Sequence, residues 1–144
     1  MQYKEIEGYF VDDKLEGILT ASQEMFDRID MIGDKLISGI LTTSVECSNT
    51  LQELNGIFAY LLPIFKVAET QKKNREERAF SDIKINIEKE GGKFVSASTD
   101  REASLRVSDY RRVRNILEGY VEICRVLIGS CQSLLKAIQE EKPL

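Results

Sequence analysis

Residues 110–138 read YRRVRNILEGYVEICRVLIGSCQSLLKAI. Apolar side chains recur at Tyr110, Val113, Leu117, Tyr120, Cys124, Leu127, Cys131, Leu134 and Ile138, with spacings that alternate between three and four. That is a heptad seam held for four repeats, and a strand, with its period of two, cannot produce it. Ile116, Ile123, Ile128 and Leu135 widen the stripe, so the helix packs on more than one partner. Upstream, Thr99-Asp100-Arg101-Glu102 has the form of a capping box: the Thr hydroxyl takes an orphan N–H and the Glu reaches back. Pro143 closes the other end, which predicts a helix over residues 99–141.

A second periodic run lies upstream. Phe26, Ile29, Ile32, Leu36, Ile40, Thr43, Cys47, Leu51, Leu54, Phe58 and Leu61 keep the three-or-four spacing, and Thr20-Ala21-Ser22-Gln23 reads as its capping box. The predicted helix is 20–62. Gly33, Gly39 and Gly56 each cost roughly 1 kcal/mol relative to Ala inside it, which predicts bending or fraying. Pro63 then predicts a kink or a break. Beyond it, Ile64, Val67, Ala68, Gln71, Arg75, Ala79, Ile83 and Ile87 keep a more polar helical face, and Glu90-Gly91-Gly92 supplies a left-handed stop. A helix over 64–90 is preferred to a hairpin of 82–88 with 93–97, because a lone hairpin is marginal. Residues 1–19 read as a loose acidic arm or short extra element with an aromatic pair, Tyr9 and Phe10.

The predicted fold is all-α: one helical domain over 1–144, built as a long antiparallel, coiled-coil-like hairpin. A forty-residue stem is about 60 Å long and has a poor surface-to-volume ratio. Its doubled apolar stripe predicts a homo-oligomer held by Leu127, Ile128, Leu134, Leu135 and Ile138.

The composition excludes several function classes. The chain has 144 residues, 42% hydrophobic and 31% charged, with no window apolar enough to span a membrane. Its acidic N-terminus, MQYKEIEGYFVDDK, lacks a signal-peptide core, which predicts an intracellular protein. There is no histidine, so Ser–His and Cys–His nucleophile pairs cannot form. Cys47, Cys124 and Cys131 are odd in number and widely spaced, and read as buried small hydrophobes rather than metal ligands or a disulfide framework. No phosphate-cradling glycine motif occurs. The expectation is a protein without catalytic residues, metal or cofactor.

Charge is divided. Residues 1–62 hold four basic and eleven acidic side chains; residues 63–144 hold sixteen basic and thirteen acidic. Two basic runs stand out: Lys72, Lys73, Arg75 and Arg78 on one arm, and Arg111, Arg112 and Arg114 on the other. In an antiparallel hairpin joined at 91–98 both lie at comparable distances from the turn, so they could form one phosphate-facing patch, with Tyr110 and Phe80 as stacking surfaces. Interleaved acids equally fit an ordinary solvated helix face.

The order IFKVAETQKKNREERAF, then EKEGGKFVSAST, then DREASLRVSDYRRVRNILEGYVEICRVLIGSCQSLLKAI resembles the UvsY-like recombination mediators of bacteriophages, over roughly residues 63–140. The resemblance implies an oligomeric protein that binds single-stranded DNA in the host cytoplasm. It would help a RecA-like recombinase replace the single-strand-binding protein. Lys72, Lys73, Arg75 and Arg78 would then be the first candidates for DNA contact, and Arg111, Arg112 and Arg114 the second. The rival expectation is an oligomeric helical scaffold or assembly protein that binds no nucleic acid.

Overall fold

The computed structural model describes residues 1–11 and 14–141; Pro143, expected to end the last helix, lies outside them. The described residues are all-α, in the order α1 (Tyr3–Val11), α2 (Leu15–Ile37), α3 (Ser44–Lys89), α4 (Ser96–Arg106) and α5 (Ser108–Glu140). No helix among them is long and apolar enough to cross a membrane.

The run expected as one helix over 20–62 is two. At the end of α2, Gly39 takes φ 66°, and Ile40 N–H bonds Lys35 O at 3.2 Å while Gly39 N–H bonds Leu36 O at 3.3 Å. This pair of bonds satisfies the last carbonyls around a left-handed residue, which glycine adopts without strain. Thr43 then caps α3: its hydroxyl accepts from Glu46 N–H at 3.2 Å, and the Glu46 carboxylate accepts from Thr42 N–H at 3.4 Å. The box expected at Thr20 does not form, because α2 begins at Leu15 and the Thr20 hydroxyl donates to Glu16 O inside the helix.

Pro63 does not end a helix. The 46-residue α3 runs through it to Lys89, about 70 Å in all. Proline forfeits one backbone bond, and burial of Leu61 and Ile64 on either side holds the helix together. The stop at Glu90-Gly91-Gly92 forms as expected, with Gly91 at φ 73° and Gly92 N–H on Ile87 O at 3.0 Å.

The return helix expected over 99–141 is also divided. α4 starts earlier, with the Thr99 hydroxyl turned back onto Val95 O at 2.9 Å rather than capping. Val107 interrupts the run at φ −105° and ψ 19°. Arg111 reaches across this joint to Ser104 O at 2.9 Å, near the end of α4, as a basic side chain can at a helix C-terminus.

Contacts fix the directions. Cys124 meets Leu54 and Tyr110 meets Arg75, so α5 is antiparallel to α3. Tyr60 on Ala21 and Arg28 on Glu53 make α2 antiparallel to α3 as well. Glu16 on Arg112 and Phe26 stacked on Tyr120 at 4.1 Å set α2 parallel to α5. The first half of α3 therefore lies in a three-helix bundle, cored by Phe26, Ile29, Leu54, Leu61, Leu117 and Val121. Past Arg75, which still touches Phe10 of α1 and Tyr110 of α5, the helix projects beyond with α4 returning along it. Of the two readings of the N-terminal segment, the short extra element holds: α1 is a helix packed on α3 and α2, with Ile6 and Phe10 fully buried.

Candidate functional site

The two basic runs do lie at the same height. Arg75 of α3 places its guanidinium 4.6 Å from the centre of the Tyr110 ring, so residues 72–78 face the start of α5. They do not make one cationic surface.

Arg75 points inward. One guanidinium N–H donates to Phe10 O at the end of α1, the ring of Tyr110 covers its face, and its Nε is buried without a partner. Position 75 falls on the line of Ala68, Gln71 and Ala79, the packed side of α3. Lys72 is largely covered and pairs with Glu76 at 2.6 Å; Lys73 is exposed, with Glu69 4.0 Å away. Arg78 is exposed and pairs with none of the described acids.

On α5, successive residues point about 100° apart, and the arginines diverge accordingly. Arg111 binds Ser104 through both its carbonyl and its hydroxyl. Arg112 pairs with Glu16 of α2. Arg114 donates to Glu118 at 2.9 Å, and its Nε is buried without a partner. The proposed stacking rings are also occupied. Tyr110 is buried under Arg75, and Phe80 meets Phe94 edge-on at 5.8 Å. The open groove between α3 and α4 mixes Lys73 with Glu76, Glu77 and Asp100, so it has no single sign.

The expected oligomerisation residues are used within the chain. Leu127 is buried, and Ile128, Leu134, Leu135 and Ile138 are half-buried against the same core. Leu134 and Ile138 share a groove with Leu36 and Leu41. The stripe is wide because α5 has two neighbours, α3 and α2, in its own chain. Ile123 is the exception and faces solvent.

All three cysteines are buried thiols. Burial pushes the Cys124 thiol from 9.0 up to about 11, and its Sγ donates to Leu54 O at 3.4 Å. Cys47 and Cys131 are raised too, first by burial and then by Glu46 and Cys47 respectively. A thiol held protonated is a poor nucleophile and a poor metal ligand. Among the described residues no group of three or more His, Cys, Asp or Glu is placed to hold a metal ion.

Sequence reasoning left residues 1–19 between a loose arm and a short extra element, and did not identify Ile6 and Phe10 as core. Ile6 and Phe10, four apart, were the available signal, but one pair is too short a run to carry periodicity. In comparisons with known proteins, no family model, no curated protein and no solved structure matches the chain.

Proposed function

We propose that this chain is a non-enzymatic helical interaction protein whose cations serve the fold first. One observation carries the reading: six of the seven candidate cations already have a partner inside the chain, in Glu76, Glu69, Phe10, Ser104, Glu16 and Glu118. The raised thiols and a sequence without histidine support the absence of catalysis. The test is fluorescence anisotropy with a labelled single-stranded oligonucleotide at low and moderate salt. This reading expects no saturable, salt-dependent binding.

The second reading is the single-stranded-DNA-binding recombination mediator, an accessory that loads a RecA-like recombinase against a single-strand-binding protein. Its support is that the pairs of Lys72, Lys73 and Arg114 are local i,i+4 contacts. Each such pair stabilises a helix by only about 0.2–0.5 kcal/mol, so a phosphate can compete for the cation. Exposed Arg78 lies at the same height. This reading expects the oligonucleotide to bind, with affinity falling by roughly 0.7 log units per log unit of salt for each phosphate contacted. Lys73→Ala with Arg78→Ala should then flatten that slope without loss of helicity.

A further inference from the structure

The outward face of α5 carries a second heptad seam. Ile116, Gly119, Ile123, Val126, Ser130, Ser133 and Ala137 follow one another at spacings of three and four, so they form one line down the helix. None is charged, in a chain that is 31% charged. Ile116 is half-buried and the other six are exposed, Ile123 by 45% and Val126 by 65%. The buried seam of Val113, Leu117, Val121 and Cys124 lies on the opposite side. Gly119 sits mid-helix, where glycine weakens the helix relative to alanine. A Cβ there would meet nothing within 4 Å, so no contact inside the chain requires glycine.

The ends of this line differ in charge. It begins at Arg112, half exposed in its pair with Glu16, and ends beside exposed Glu141 and Glu140, whose carboxylate lies 3.9 Å from Lys136. We propose that a second copy of this chain docks antiparallel on this face, with the two-fold axis passing Val126. Val126 then meets the partner's Val126. Ile123 meets the partner's Ser130, Gly119 meets the partner's Ser133, and Ile116 meets the partner's Ala137. Small side chains stand opposite larger ones on both sides of the axis, which lets the helices approach closely. Arg112 comes beside the partner's Glu140, exchanging its exposed pair with Glu16 for this one as Glu140 gives up its loose contact with Lys136, and the contact repeats by symmetry. A parallel pairing would set Arg112 against the partner's Arg112 and Glu140 against the partner's Glu140, which like-charge repulsion opposes. The interface is isologous and closes on itself as a dimer. It leaves the buried seam intact and does not depend on either functional reading.

Sedimentation equilibrium of the full chain across micromolar concentrations should give twice the 16.4 kDa chain mass. Val126→Glu puts two carboxylates face to face on the axis and should return the monomer with unchanged circular dichroism. Arg112→Glu should weaken the dimer, and Arg112→Glu combined with Glu140→Arg should restore it. Orientation is read by cross-linking. Val126→Cys should form a covalent dimer on mild oxidation and Gly119→Cys should not, whereas Gly119→Cys with Ser133→Cys in one chain should. A wild-type mass of 16.4 kDa at every concentration overturns the proposal. So does a Val126→Glu protein that remains dimeric, or a Gly119→Cys protein that cross-links as readily as Val126→Cys, the mark of a parallel pair.

Discussion

The two halves of α3 have the same helical backbone and very different surroundings. From Ser44 to about Ala68, the helix is flanked by α2 and α5, and Cys47, Leu54, Ile57, Leu61, Ile64 and Ala68 are all buried. From Glu69 to Lys89 it has α4 along it, and Ile83 is the one buried residue of that half. Ile83 and Ala103 stand apart from the main core cluster. The difference teaches what the third helix supplies. Two helices bury a single line of contact, and three bury an enclosed core. Stability should therefore be concentrated in the bundle, while the projecting hairpin opens locally at lower free energy.

The largest contrast should come from truncating one side chain in each region. Leu117→Ala in the bundle should lower the unfolding free energy by about 2–5 kcal/mol. Ile83→Ala should lower it by no more than about 2 kcal/mol, the low end for the same chemistry. Urea denaturation followed by circular dichroism measures both, and equal losses would break the comparison.

Alkali should act on the bundle next. The Cys124 thiol ionises at about 11 when folded against an ordinary 9.0, because burial disfavours the thiolate. The unfolded chain gives up its proton first, so this contribution is complete below pH 9 and is lost as pH rises from about 9 through about 11. The loss is at most about 2–3 kcal/mol. Cys47 and Cys131 are raised in the same direction and add to it. Urea midpoints at pH 8 and pH 11 should differ in wild type, and the gap should narrow in Cys124→Ala.

At the boundary between the regions stands Arg75. Arg75→Ala leaves Phe10 O with the long 3.5 Å bond from Tyr110. It should cost about 1–2 kcal/mol and loosen α1. Arg75→Lys should not rescue it, because an ammonium cannot both lie flat on the ring and reach the carbonyl in the same way. A loss of oligonucleotide binding with unchanged stability would instead make Arg75 a contact residue. The smallest effect belongs to the hairpin surface: Lys73→Ala, which removes one exposed pair, should change stability by less than about 0.5 kcal/mol.

Helix content was legible because a three-or-four spacing has no other simple source. The joints were not. Leu36, Ile40, Thr43 and Cys47 keep that spacing straight across the turn between α2 and α3, so periodicity passes through it unseen. Gly39 with Thr43 and Glu46 held the local signal, since a left-handed stop followed by a cap is a turn whatever the apolar pattern. The width of the α5 stripe was read correctly as a need for two neighbours, but a sequence cannot say whether the second neighbour is another chain or α2. The surroundings of the candidate cations were hidden in a similar way. Charge counts locate Arg75 in a basic run, and only packing shows that it serves Phe10 and Tyr110.

Native-state hydrogen exchange, read by mass spectrometry at increasing urea, tests the two-region account most directly. Amides of 50–65 and 113–131 should exchange only through global unfolding, with a urea dependence equal to that of the whole molecule. Amides of 76–89 and 96–106 should exchange at lower free energy, with a smaller urea dependence, as one locally opening unit. Equal protection and equal urea dependence in both sets would contradict it, and would mean that the projecting hairpin and the bundle unfold as one cooperative body.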